Sequence, residues 1–486
     1  MHYPMESSSF SGCCRKTTNT LRNFVEKYFE TAFYLYLAFV VLKSILTATM
    51  IPVNWWNTRL ENILQLLALV MVMWKAASGD VWTARERVLA VFLCGSLVLS
   101  WHSYSYAFIY ELAVLLFLAH GMEFRKILTV HLAVSLAVTL VTVTLALSGR
   151  IENLTYYQEA HNYRARMAFG FLYPTDFCAH LFFMTLSYVW LRLRKIRWGE
   201  IAAIAVLGIF TWVCCDARTT TLLFALLVLR LGVMKLRAHR TSSGKSADHA
   251  ACGSRTMRAA RRSEERRTGT ARKSAERRVG TAQKSAERRA GTAQKSEERR
   301  TGTAVFSHFR EWIDWLIVLS APIFAAIMIL MSRFYSESSG FLRFVNRVLN
   351  NRLYYGHIGF ERYNVRLWAQ NVEMHGAGGS VTHSADYFFL DSSYVNILLC
   401  LGLVVMAAVL LILVITANRQ RKTGDHLKLF LLFLIIVACV IEHHLIEIQT
   451  NPFLLLVLAA DNGQRDDFHV SRRRIHSSSD IHKFQA

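Results

Sequence analysis

The sequence predicts an all-α, polytopic membrane protein of about 11–12 transmembrane helices, with one large extracytoplasmic loop between the late helices. Three observations predict it. Apolar residues make up 53% of the chain and gather in blocks of Leu, Val, Ala and Phe, where soluble amphipathic helices would interrupt them with charge every few residues. A bilayer core of about 30 Å needs about 20 apolar residues per helix, and runs of that order recur along the chain. Basic residues fall into alternate connectors, the arrangement by which positive charge stays on the cytoplasmic side.

Taken in order, residues 1–30 read as a cytoplasmic segment, polar and mixed, without the pattern of a cleavable secretory signal. Helices one to eight fill 31–236, at about 31–51, 60–76, 88–102, 105–120, 127–148, 168–191, 201–215 and 219–236. A basic low-complexity insert occupies 237–304, and 305–332 carries a ninth helix from about 315. The outer loop is 333–391, and 392–460 holds three more helices at about 392–416, 428–446 and 451–460. The last of these is short enough to be re-entrant instead, and 461–486 reads as a cytoplasmic tail.

The connectors holding Arg85 and Arg87, Arg125 and Lys126, and Arg419 and Lys422 fall on the side of the insert and both termini. That side is expected to be cytoplasmic, in a multi-pass protein of the plasma membrane. The opposite face receives 51–59, 149–167, 216–218, 333–391 and a turn near 445–450.

The formal net charge of +22 suggests nucleic acid until it is located. The insert holds nineteen Lys and Arg against seven Asp and Glu, just over half of the excess. It repeats every eleven residues, marked by Gly269, Gly280, Gly291 and Gly302. The units lack the apolar seam of a supercoil and the interleaved aromatics of a strand-binding surface. They read as a solvated cytoplasmic excursion near anionic lipid headgroups, and no nucleic-acid partner is expected. The nine cysteines, including the adjacent pairs Cys13-Cys14 and Cys214-Cys215, show no ligand spacing and read as small core residues.

None of the fourteen lysines falls in an outer connector, yet those connectors hold eleven arginines, among them Arg166, Arg218, Arg352 and Arg362. Arginine fits phosphate oxygens with a planar fork where lysine offers a point charge. The set points to an anionic ligand, although any single arginine is better explained by a carboxylate partner or a lipid headgroup. Ionisable groups concentrate in four outer segments: Arg164 to Asp176, the DARTTT turn from Asp216, the loop 333–391, and EHHLIE from Glu442 to Glu447 with Asn451-Pro452. Such an arrangement suits glycosyl transfer from a lipid-linked diphosphate, with arginines stabilising the departing diphosphate and a carboxylate or histidine taking the acceptor proton. No Asp-x-Asp pair is present for a nucleotide-sugar metal, and His357, His375 and His383 lack tight ligand spacing. No metal and no cofactor are expected.

Several local patterns resemble one family. Arg166 with Gly170-Phe171 and Pro174, the turn Asp216-Ala217-Arg218-Thr219, Asp391-Ser392 followed by Gly402 and Val405, and Glu442 with Asn451-Pro452-Phe453 are similar to motifs of the O-antigen ligase and polymerase superfamily. The likeness is greatest to Wzy-type polysaccharide polymerases and covers nearly the whole chain outside the insert and tail. It implies a GT-C-like fold and polymerisation of undecaprenyl-diphosphate-linked repeat units, with the growing chain passed to the non-reducing end of a new unit. Membrane lipids, a flippase and a chain-length regulator are the implied partners. Arg166, Arg218 and Arg352, with Arg362, are the expected diphosphate contacts. Asp391 is the first choice for the base, followed by Glu361, Asp386 and His357. Gly356-His357 stands where these polymerases often carry Gly-Arg, so Arg352 or Arg362 would substitute. A ligase is disfavoured by Asp391 in place of the ligase histidine. A flippase is disfavoured by the lack of an internal helix repeat.

Overall fold

The structure, a computed structural model, describes residues 8–53, 58–77, 82–104, 107–157, 164–239, 310–376 and 387–461. Asp386 and nearly all of the basic insert and tail lie outside the described residues.

Helices account for most of what is described. In chain order they are α1 Ser8–Thr47, α2 Thr58–Ala77, α3 Ala84–Tyr104, α4 Ala107–Leu118 and α5 Phe124–Leu147. After a short hairpin, β1 Thr155–Tyr156 with β2 Arg166–Met167, come α6 Pro174–Arg192, α7 Trp198–Cys215 and α8 Arg218–His239. The later part holds α9 Arg310–Val318, α10 Ser320–Arg333, α11 Gly340–Val348 and α12 Arg352–Arg362. It ends with α13 Ser393–Asn396, α14 Gly402–Thr423, α15 His426–Ala438 and a 3-10 helix, Pro452–Val457.

Among the described residues, six helical stretches are long and apolar enough to cross a membrane, and α9 with α10 would make a seventh if counted together. The six lie in α1, α2, α5, α7, α8 and the continuous run Ser393–Thr423. Outward-facing apolar residues such as Leu66, Val91, Leu140 and Ile209 suit a lipid environment. The molecule is an all-α membrane protein. Helices α4 and α15 are apolar but shorter than a span, at 12 and 13 residues.

Several predicted helices have different limits, among them the first, which begins at Ser8 and not near 31. The helix expected from 168 begins at Pro174, because proline fixes the first turn and holds Tyr173 extended. The helix expected over 428–446 stops at Ala438, and 439–451 folds back as turns. There Ser393 Oγ donates to the Glu442 carbonyl at 2.5 Å and accepts from the Leu445 amide at 3.2 Å. The segment expected over 451–460 is a six-residue 3-10 helix, buried among Phe124 and Trp190, whose ring centroids lie 5.9 and 5.5 Å from that of Phe453.

The chain divides into two units, 1–225 with 318–486, and 226–317. In the first, α1 packs on α5, α3 on α4 and α14, and α10 on α12. In the second, the end of α8 and most of α9 are described. All candidate site residues lie in the first.

Within 333–391 the chain is locally helical, and this positions the site. The α11–α12 turn uses Asn350 and Asn351, both left-handed at φ 53° and 65°, a conformation asparagine tolerates. Buried Asn346 then accepts the amides of Leu353 and Tyr354, each at 3.1 Å, satisfying the free first turn of α12. Arg352 is thereby fixed as the first residue of that helix. A Cβ on Gly356 would meet Ser332 Oγ at 2.6 Å, so this glycine is a close-packing residue between α12 and α10.

Candidate functional site

Arg166, Arg352, Asp391 and Tyr387 line a cleft of about 120 Å³ together with the start of α6. An adjoining pocket of about 50 Å³ shares Arg166, Thr175, Asn350 and Arg352 with it, and adds Asp216, Arg218, Arg347 and Glu442. Residues from five separate stretches of sequence therefore meet: the β2–α6 region, the α7–α8 turn, the α11–α12 hairpin, the segment 387–391 before α13 and the turns after α15.

Each arginine is held differently. Arg166 sits on β2 opposite Tyr156, is buried, and donates from Nε to the Cys215 carbonyl at 3.2 Å. Arg352 is also buried, donating from Nε to the Ile441 carbonyl at 3.2 Å and from Nη1 to Asp391 Oδ2. Arg218 stands at the start of α8 with 59% of its side chain exposed, its Nη2 3.6 Å from Asp216 Oδ2. Asp216 itself is 2% exposed, ends α7 in the left-handed conformation at φ 46°, and also faces Arg164 Nη1 at 3.4 Å. Buried charge is tolerable only when paired in this way. The arginines are thus pre-positioned by carbonyls and carboxylates.

The carboxyls here sit away from water. Burial pushes Asp391 above the usual aspartate range, against the opposing pull of Arg352. Burial likewise raises Glu442 to about 7, offset by Arg352 and Arg166. A carboxyl poised near neutrality beside guanidinium groups is suited to accepting a proton and passing it on.

The remaining sequence candidates lie elsewhere. His357 Nε2 is 3.4 Å from Glu361 Oε1 along α12, and Glu361 is 61% exposed. Arg362 ends α12 with its guanidinium 5.0 Å from the centre of the Phe388 ring. None of these three lines either pocket. Asp386 lies outside the described residues. Glu442 appeared in the sequence only as part of a motif, without a role. Asn350 and Tyr156 carried no signal beyond an Asn-Asn turn and an interfacial aromatic.

A third cavity, of about 190 Å³, backs onto the start of α6 and is lined by Asp176, His180, His443, His444 and Glu447 among others. Asp176, His443 and His444 each offer one ligand atom within 4.8 Å of the others, the one group among the described residues with metal-binding geometry. Asp176 and His443 line the arginine cleft as well.

Compared with protein-family models, curated proteins and solved structures, the chain finds no match.

Proposed function

We propose that the protein is a metal-independent glycosyl transferase of the plasma membrane that polymerises undecaprenyl-diphosphate-linked oligosaccharide units into a cell-surface polysaccharide. The observation that carries this reading is the convergence of Arg166, Arg218 and Arg352 on adjoining pockets that also hold Asp391. Three guanidinium groups from three segments make a diphosphate-sized concentration of fixed positive charge. Their carbonyl and carboxylate partners prevent reorganisation as charge builds on a leaving group.

In the reaction, the acceptor hydroxyl oxygen attacks the anomeric carbon of the donor sugar. The bond from that carbon to the diphosphate oxygen breaks, and its electron pair leaves with the lipid diphosphate. Asp391, steadied by Arg352, takes the hydroxyl proton. Attack opposite the leaving group inverts the anomeric centre.

Helix α11 supports a lipid-borne substrate. Phe341, Phe344 and Val348 are exposed at a spacing of three and four, while Arg343 and Arg347 are exposed four apart. An apolar stripe beside basic residues suits a helix lying in the headgroup region, next to the start of α12. The membrane would then hold the donor's tail while its diphosphate enters the arginine pockets from outside the cell, with both termini cytoplasmic.

Glycan analysis in a strain lacking the chromosomal copy tests the reading. With Arg218→Ala expressed at the normal level, only lipid-linked single repeat units should remain. Long lipid-linked chains instead would indicate a ligase, and unchanged long-chain polymer would remove Arg218 from the mechanism.

A further inference from the structure

We propose that Asp176, His443 and His444 form a binding site for a divalent transition-metal ion of the zinc class, tying the start of α6 to the turns after α15. The site shares Asp176 and His443 with the wall of the arginine cleft and does not replace the arginines there.

Hydrogen-bond bookkeeping leads to it. His444 Nδ1 lies 2.7 Å from Glu447 Oε2, and that carboxylate also accepts from Gln449 Nε2 at 3.0 Å. An ionised carboxylate only accepts, so with Glu447 ionised Nδ1 carries the ring proton and Nε2 presents a lone pair. That Nε2 is buried without a hydrogen-bond partner and faces Asp176 Oδ1 at 3.6 Å. Two acceptors pointed at each other inside a protein repel unless a proton or a metal ion stands between them. His443 repeats the arrangement: its Nε2 is 3.4 Å from Glu447 Oε1, and its Nδ1 is buried without a hydrogen-bond partner. The two imidazole rings lie 4.2 Å apart.

Leaving such groups unsatisfied is costly. A metal removes that cost. Glu447 stands in the position of the outer carboxylate that orients metal-bound histidines in many sites. Ligands about 2.0–2.1 Å from a tetrahedral ion sit about 3.4 Å from one another, close to the observed 3.6 Å between Asp176 and His444. Two imidazoles and one carboxylate favour zinc or a similar ion over magnesium or calcium. His180 offers a further buried, unpartnered nitrogen in the same cavity, its ring 6.4 Å from that of His444.

The test uses the untagged full chain in detergent, stripped with a chelator, dialysed, and titrated with Zn²⁺ and separately with Co²⁺. About one ion should bind per chain, with the intense visible absorption of low-coordinate Co²⁺, and the melting temperature should rise. Asp176→Asn and His444→Gln should abolish binding, and Glu447→Gln should weaken it about 10–100-fold. His375→Gln, outside the cavity, should leave it unchanged. If a ligand variant does not fold, the wild-type stoichiometry and cobalt spectrum decide alone. Absence of stoichiometric binding by the wild type overturns the proposal, as does binding that folded Asp176→Asn and His444→Gln variants retain. Metal content is read without any glycosyl-transfer assay, so failure of the polymerase reading leaves this result standing, and the reverse.

Discussion

Arg352 joins the two pockets, and its substitutions separate structure from chemistry. It neutralises the buried carboxylate of Asp391, so Arg352→Ala leaves that charge unpaired. Breaking a buried pair in this way costs about 3–5 kcal/mol, which thermal melts in detergent should register as a clear loss of stability. Arg352→Lys keeps a positive charge for Asp391 but loses the fork that also reaches the Ile441 carbonyl. It should melt closer to the wild type while remaining deficient in polymer formation. Equal activity from Arg352→Lys would exclude a bidentate role. Asp391 carries a pH signature. Its folded-state value is raised by burial, so the carboxyl holds its proton to higher pH than an exposed aspartate and becomes a base only above that value. The rate should therefore climb through a limb lying above the ordinary aspartate range, and Asp391→Asn should remove the activity while leaving donor binding in place. The same raised value means Asp391 favours the folded state most at low pH, a contribution lost as pH rises through it.

Elements decide which sequence candidates can meet. Arg166, Arg218, Arg352 and Asp391 were legible because arginine-only charge and local motifs marked them one by one. His357 and Glu361 were marked by the same reasoning, but the helical nature of 352–362 was not. On a helix, position 357 lies about 140° around the axis from 352, and position 361 about 180°. A sixty-residue stretch read as a loop conceals that rotation. The α13–α14 boundary was equally hidden. A single helix was expected through Gly402, yet φ there is +88°, and a Cβ would come within 2.6 Å of the Leu367 carbonyl oxygen and the Trp368 backbone. The segment 366–370 runs against this break, with Leu403 N donating to Arg366 O at 2.9 Å and Gln370 N to Cys400 O at 3.0 Å. Gly402→Ala should cost about 1–3 kcal/mol from backbone conformation alone, with the steric clash added. Lower yield and melting temperature of the purified variant would register it. Unaltered stability would mean that 366–370 does not pack there.

For the whole molecule, the fold class was legible because composition and block length reflect the solvent a chain must face. The exact spans were less so. Buried apolar segments inside a membrane protein have the composition of lipid-facing ones, so the 3-10 helix at 452–457 read as a twelfth helix. The tertiary meeting of five distant segments could not be read from any one of them. On the proposed function, this meeting grips a diphosphate while a sugar is transferred. Purified protein in liposomes, supplied with a lipid-diphosphate-linked oligosaccharide, tests it by counting released lipid diphosphate against glycosidic bonds formed. Equal counts are expected for the wild type, with a loss of roughly 10²–10³-fold in rate for Arg166→Ala or Arg218→Ala. Release without bond formation, or full rates from folded arginine variants, would contradict it.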